Sequence, residues 1–304
     1  MKKIIKILIG LIIILSVLLA IVHYSDQENN LQVYFFDIGQ GDGMLIRTPS
    51  HHNIIIDGGP DNTFITKLGQ TLPFYDKTID LMILTHPHDD HLFGLVEVLK
   101  RYKVKQILAT GVEHSSNAYF TWLELIKEKD IPFKIALSGQ QFIFKKDCSG
   151  KYNCQSNEVI MEVIYPFEDL SSQEADNLNE TSVVTQLRYE QIKILFTGDL
   201  EKGGEEKILD YLNSREEKAD FNLRSQVLKV GHHGSKTSSI LPFLKAIDPQ
   251  YAIIQVGQDN KFNHPFLEVL KNLERLGAEI YRNDLKGDIL LFSNGQDVNI
   301  KASF

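Results

Sequence analysis

Between Leu84 and His91 the chain reads Leu84-Thr85-His86-Pro87-His88-Asp89-Asp90-His91. Imidazoles and carboxylates are the usual ligands of borderline divalent cations such as zinc and manganese. In the pattern His-x-His-x-Asp-His, His86 and His88 fall on one side of a loop and can grip one cation, while Asp90 and His91 reach a second. Paired cations of this kind activate a water and hold a leaving oxygen within one site. The bland alternative is a solvated loop that happens to be rich in histidine. The length of the pattern argues against it, as does its place directly after the largely apolar run 79–84. A loop at a strand end is held still by the sheet behind it.

Three later segments offer the remaining ligands. Leu195-Phe196-Thr197-Gly198-Asp199 reads as a strand ending in a carboxylate able to bridge two cations, though an aspartate closing a strand is by itself ordinary turn chemistry. Lys229-Val230-Gly231-His232-His233-Gly234-Ser235 is a second strand end, carrying imidazoles. Asn263-His264-Pro265 is a third, where a lone histidine is as often a helix-start residue.

The elements that must position these groups alternate along the chain. Strand patterns cover 31–37, 44–47, 53–57, 106–109, 182–189, 193–196, 226–230, 251–256 and 288–292. Helical patterns cover 64–72, 91–102, 118–129, 203–213 and 265–276, with Leu92, Leu95, Val96 and Leu99 forming one apolar face of the second. The stretch 138–168 is hairpin-like, and 169–180 is polar and reads as a loop. Strands in a block followed by a mixture of strands and helices predict an α+β fold of sheet layers with helices outside.

Six motifs stand in register: Phe36-Asp37-Ile38-Gly39-Gln40-Gly41-Asp42, Ile56-Asp57-Gly58-Gly59, the ligand run, Phe196-Thr197-Gly198-Asp199, His232-His233-Gly234-Ser235-Lys236-Thr237-Ser238 and Asn263-His264-Pro265. With them the chain from Val33 to about Phe292 resembles the metallo-β-lactamase superfamily, and within it the soluble domain of the ComEC DNA-uptake proteins. That resemblance implies a four-layer αββα sandwich with a dinuclear site on one edge, holding two divalent ions, zinc or manganese. By position it implies His86, His88, Asp90, His91, Asp199 and His232 as metal ligands. Asp57 would lie behind them and orient a ligand histidine. Asn179 and Ser182 fall where the subfamily carries an Asn and a Ser before a strand. Asp90, His233, Lys236 and His264 are the residues expected to serve the chemistry, the last three by stabilising phosphoryl oxygens or assisting a leaving alkoxide.

Two departures from the family pattern matter. His114 is the only histidine between the ligand run and Asp199, and it comes too early for the further ligand many of these hydrolases carry, which leaves one ion to be completed by water, Asn179 or Ser182. The uptake channels also have many apolar segments where one is found here, so the expectation is a hydrolase domain alone, tethered to a membrane, without a pore.

The tether is residues 1–24: Lys2, Lys3 and Lys6 precede an apolar run from Ile7 to Val22, between a signal-peptide core and a full span in length. No small-residue cleavage site follows, so an uncleaved signal anchor is preferred, with a cleaved, secreted form second. The lysines stay cytoplasmic and the domain 31–304, after a linker at 25–30, is extracytoplasmic. Cys148 and Cys154 are then able to pair in an oxidising compartment. A net charge of -8 over 304 residues argues against indiscriminate nucleic-acid binding but leaves room for a local basic groove. Lys229 and Lys236 beside the histidine loop, and Lys100, Arg101, Lys103 and Lys105 after the first ligand helix, could line such a groove, and Tyr119, Phe120 and Trp122 offer a stacking platform or simply a helix core. The leading expectation is a metal-dependent phosphodiesterase acting on DNA. A hydrolase of lactams, lactones or thioesters, and a binding module without turnover, are the alternatives.

Overall fold

The computed structural model describes residues 9, 30–145, 158–171, 173, 175–214 and 222–302. Both cysteines, and all of the expected anchor 1–24 except residue 9, lie outside them. Among the described residues no helix is long and apolar enough to cross a membrane.

Two large sheets stack face to face. The first runs, in spatial order, β17 (Val298–Ala302), β16 (Ile289–Ser293), β1 (Leu31–Phe35), β2 (Gly43–Arg47), β3 (Asn53–Gly58), β5 (Leu81–Ile83), β7 (Ile107–Ala109) and β8 (Phe133–Ile135). The second runs β15 (Glu279–Arg282), β14 (Tyr251–Ile254), β13 (Val227–Lys229), β12 (Ile192–Phe196), β11 (Val184–Tyr189), β10 (Val159–Tyr165) and β9 (Gln141–Phe144). A small parallel pair, β4 (Thr78–Ile79) and β6 (Lys103–Val104), lies apart.

Strand periodicity explains the layers. In β3, Ile54 and Ile56 point into the core between the sheets, while Ile55 points outward into a core shared with α1 (Thr63–Thr71), α2 (Asp89–Arg101) and α3 (Asn117–Glu128). In β13 and β14, Val227 and Ile253 face the first sheet, while Leu228, Ala252 and Ile254 face α4 (Lys202–Asn213), α5 (Leu241–Ile247) and α6 (Leu267–Arg275). Both faces of the central strands are covered, so their sequences are apolar without alternation. The αββα sandwich follows. A seventh, short helix, α7 (Asn283–Lys286), leads into β16.

Most expected elements fall within a few residues of those observed. The short or half-exposed ones, β8, β15, β17 and α5, escape pattern reading because too few buried positions repeat in them. The polar stretch 169–180 ends in a 3-10 turn, Leu178–Thr181. Helix α2 starts at Asp89 rather than His91, with His88 extended before it. Asp89 and Asp90 thus sit in its first turn, where the free N–H groups and helix dipole favour anions. Gly94 lets α2 lie on β3, since a β-carbon there would come 1.9 Å from the Gly58 carbonyl oxygen.

The start of β5 is pinned by Asp80, which accepts from the Asn53 N–H at 2.8 Å and from Lys105 Nζ at 2.7 Å, and lies 3.2 Å from His52 Nδ1. The bond with Asp80 raises the His52 pKa above 6.5. Burial opposes ionisation of Asp80, yet its bonds from His52, Lys105 and Asn53 together hold its pKa below 3.8. The His52 contribution is complete below pH 6.5 and is lost as pH rises through its raised folded value; the Asp80 contribution is present above pH 3.8 and is lost as pH falls through its lowered one. Lys105 is about half exposed, so its share is screened. D80N is expected to cost about 1–2 kcal/mol in urea unfolding at pH 6, and less once the pH has risen through the raised His52 value.

Candidate metal centre

The parallel strands β3 and β5 of the first sheet, and β12, β13 and β14 of the second, end at the same edge. Asp57 lies at the end of β3, and the loops after the other strands carry the 84–91 run, Asp199, His232 with His233, and His264. The carboxyl ends of parallel strands are where an open sheet presents a cleft. The sheets meet tightly here: Gly198 has φ +51, and a β-carbon on it would lie 2.8 Å from Thr85 Cβ.

Asp199, buried, is the hub. Its Oδ2 lies 3.3 Å from His91 Nε2, 3.3 Å from His233 Nε2 and 3.9 Å from His232 Nε2. Asp90 Oδ2 lies 4.0 Å from His91 Nε2 and 3.8 Å from His233 Nε2. His86 Nε2 lies 3.0 Å from His88 Nδ1. Ligand atoms of His86, His91 and Asp199 converge, as do those of Asp90, His91 and His233.

Three of these rings are anchored from behind. His91 Nδ1 lies 2.9 Å from Asp57 Oδ2 and His233 Nδ1 lies 2.8 Å from the Gln255 carbonyl oxygen, so in each neutral ring Nδ1 carries the proton and Nε2 presents its lone pair. The Thr85 hydroxyl donates to Asp57 Oδ2 at 2.7 Å, so toward His86 Nδ1, at 3.1 Å, it is an acceptor. His86 Nε2 then carries the lone pair, 3.0 Å from His88 Nδ1. His91 Nε2, His233 Nε2 and Asp199 Oδ1 are buried without a hydrogen-bond partner. Orphaned nitrogen and oxygen atoms converging in this way fit divalent cations.

The electrostatics agree. Burial opposes protonation of His91, but Asp199, Asp57 and Asp90 push its pKa well above the usual value. His233 is likewise pushed up to about 10, against burial, by Asp199 and Asp42. Asp199 is held well below the carboxylate range, despite burial, by His233 and His91. This cage of carboxylates asks for positive charge, and a cation displacing the protons satisfies it. Burial keeps His86 neutral.

By sequence His232 is a ligand and His233 an auxiliary group; both rings approach Asp199, His233 more closely. The structure places His233, 1% exposed, against Asp90 and Asp199, and His232, 21% exposed, toward the rim, where its Nδ1 meets Glu201 Oε1 at 3.0 Å. Both occupy left-handed backbone, φ 47 and 54, which turns the neighbouring rings apart. Ser182 Oγ accepts from the Asp199 N–H at 3.1 Å and lies 3.4 Å from His86 Nδ1, so it tethers the hub to the first ligand loop. Asn179 Nδ2 lies 3.4 Å from His232 Nε2 and donates to Glu201 at 3.3 Å. The His264 ring stands 5.5 Å from that of His232, kept neutral chiefly by burial, with a pKa of about 4. Lys236 is exposed, its Nζ 5.7 Å from the Phe266 ring centre. His114, discounted for its position in sequence, brings its ring within 6.1 Å of His88.

Lys229 departs furthest from expectation. It is fully buried and ion-paired with Asp42, also fully buried, rather than lining a groove. Its Nζ donates to the Gly198 carbonyl at 3.0 Å and lies 3.7 Å from Asp199 Oδ1. A charged residue within the apolar run Val227-Leu228-Lys229-Val230 is the available signal that it pairs inside the protein.

Asp57 accepts from the Thr85 N–H at 2.8 Å as well as from its hydroxyl, so one carboxylate fixes both the ligand loop and the His91 ring. D57N is expected to weaken metal affinity about 10–100-fold, measured by chelator competition.

These features define a metallohydrolase-type centre at the edge of an αββα sandwich. Residues 37–258 match the family model of the Metallo-beta-lactamase superfamily, and the chain belongs to that superfamily. Among curated proteins it is similar to ComE operon protein 3 of Bacillus subtilis (strain 168), with 28% identity over 275 residues, covering 85% of this chain and 32% of that protein. It is also similar to Competence protein ComA of Neisseria gonorrhoeae, with 28% identity over 263 residues, covering 86% of this chain and 32% of that one. The chain thus spans about a third of the length of these relatives. Among solved structures, a CmlA beta-hydroxylase E377D mutant shares the fold, with a TM-score of 0.50 and 15% identity over 86% of this chain and 53% of the other.

Proposed function

We propose that this chain is a metal-dependent phosphodiesterase that cleaves DNA outside the cytoplasmic membrane, to which residues 1–24 anchor it. The observation that carries the hydrolase reading is the hub: Asp199 Oδ2 lies 3.3 Å from two imidazole nitrogens, each belonging to a ring anchored through its other nitrogen. Similarity to competence proteins supports DNA as the substrate. The apolar run after Lys2, Lys3 and Lys6 supports the anchor.

In this reading Asp90, His91 and His233 would hold one divalent cation, zinc or manganese, and His86, His88 and His232 would hold the other, with Asp199 between the two sets. When bound, such a pair supplies a nucleophile from water at neutral pH and stabilises charge on a phosphoryl group. The protein does the rest. Asp57, Thr85 and Gln255 keep the ligand rings in one tautomer and orientation. Asp90, whose side chain is 37% exposed, is the ligand carboxylate that opens to the cleft, where it can accept a hydrogen bond from the attacking water. His264, neutral and beside His232, is placed to donate a hydrogen bond to a phosphoryl oxygen or leaving group, and Lys236 reaches the same rim as a counter-charge.

The test is to incubate the purified full chain with manganese or zinc and labelled single- and double-stranded DNA, beside H86A/H88A. Metal-dependent cleavage that the double variant lacks is expected. Turnover of nitrocefin or a lactone with intact DNA would instead point to the carbonyl hydrolase.

A further inference from the structure

Next to the metal centre lies a cavity of about 420 Å³ whose walls include Glu113, His114, Tyr119, Phe120, Leu123 and Leu178. Two of those walls adjoin the ligand cluster. The His114 ring is 6.1 Å from the His88 ring, and Leu178 precedes Asn179, whose amide nitrogen is 3.4 Å from His232 Nε2. A group attached to a phosphorus held beside His88 and His232 would meet this cavity on that side.

The lining is unusual for a surface helix. Tyr119 and Trp122 of α3 are buried against the helix-side core, as a helix anchored on a sheet requires. Phe120 and Leu123, one turn apart, are 53% and 37% exposed and line the cavity beside Tyr119. Two large apolar groups i and i+3 on a helix form one continuous patch. The Phe120 ring lies 6.5 Å from the Tyr119 ring, and Tyr119 lies 6.5 Å from His114, so a line of rings runs from exposed Phe120 to the ligand histidine His88.

Charge selects among the parts of a nucleic acid. Among the described residues no Lys or Arg lines the cavity, and Glu113 at its wall repels phosphate. An uncharged planar group fits, stacked on Phe120, with the Glu113 carboxylate as acceptor for exocyclic amino groups. In a duplex the bases are stacked and paired, so only an unpaired base can enter.

We infer that this cavity is a base subsite: it seats one unpaired nucleobase of the strand being cut, stacked on Phe120, beside the phosphodiester at the metal centre. This rests on the phosphodiesterase reading. It makes the chain selective for single strands and frayed ends, with the flanking base adding to transition-state binding.

The experiment uses the full chain with manganese and two single-stranded substrates, an ordinary oligonucleotide and the same oligonucleotide with abasic units around the cleavage position. The wild type prefers the base-bearing strand in kcat/KM. F120A is expected to reduce that preference about tenfold, and F120W, which keeps a stacking face, to restore it. Phe120 is more than half exposed, so these variants keep their fold, which circular dichroism checks. Equal preference in wild type and F120A, with cleavage intact, overturns the subsite and leaves the phosphodiesterase reading standing. Cleavage of neither strand by the wild type overturns both.

Discussion

D199N is expected to retain the fold and to lose at least one metal ion per chain, with kcat/KM on any substrate falling on the order of 10³-fold or more. The substitution keeps the shape of the side chain and removes its charge. It does so at the atom where the centre converges, 3.3 Å from both His91 and His233. Those two rings owe their raised pKa values largely to Asp199, so removing its charge also lowers their attraction for any cation. The measurements are metal content by mass spectrometry and thermal unfolding with and without chelator. Chelation should lower the unfolding temperature of the wild type, because ions bound only to the folded state stabilise it, and should move D199N much less. Full metal content in D199N, with a rate within tenfold of wild type, would remove Asp199 from the hub.

The second large effect belongs to a residue that is fully buried. K229M is expected to destabilise the protein by about 3–5 kcal/mol, because it leaves Asp42 charged and buried with its cation removed. The double variant D42N/K229M should recover much of that loss, since a neutral pair needs no counter-charge. Urea unfolding of the two single variants and the double one gives the coupling directly. The same lysine donates to the Gly198 carbonyl, so K229M also loosens the turn that presents Asp199. If K229M and the double variant were equally unstable, methionine packing, and not the orphaned carboxylate, would be the cause.

The chemistry of the centre was legible because its ligands are crowded into short motifs at strand ends. His86, His88, Asp90 and His91 lie within one loop and the first turn of α2, so their proximity is guaranteed by the covalent chain. Asp199 and the histidine pair were legible by type and by the apolar run before each, which marks a central strand. The layers were legible for the same reason: β3 and β14 are apolar at successive positions, and only a strand covered on both faces needs that.

What the sequence could determine was the inventory of groups and their order: three imidazoles and a carboxylate in one loop, a carboxylate after one later strand and two imidazoles after the next. The tertiary structure decided which atoms meet. His232 and His233 are chemically identical neighbours, and only the left-handed turn they share sends one ring inward to Asp199 and the other out to Glu201. Asp42 and Lys229 are separated by most of the chain, and no local pattern couples them until the two sheets stack. His114 looked too early in sequence because distance along the chain was the only measure; the parallel step from β5 to β7 returns it to the side of His88. Local spacing fixes contacts across a turn of helix or a loop, but contacts between sheets depend on register and packing, which only the folded chain specifies.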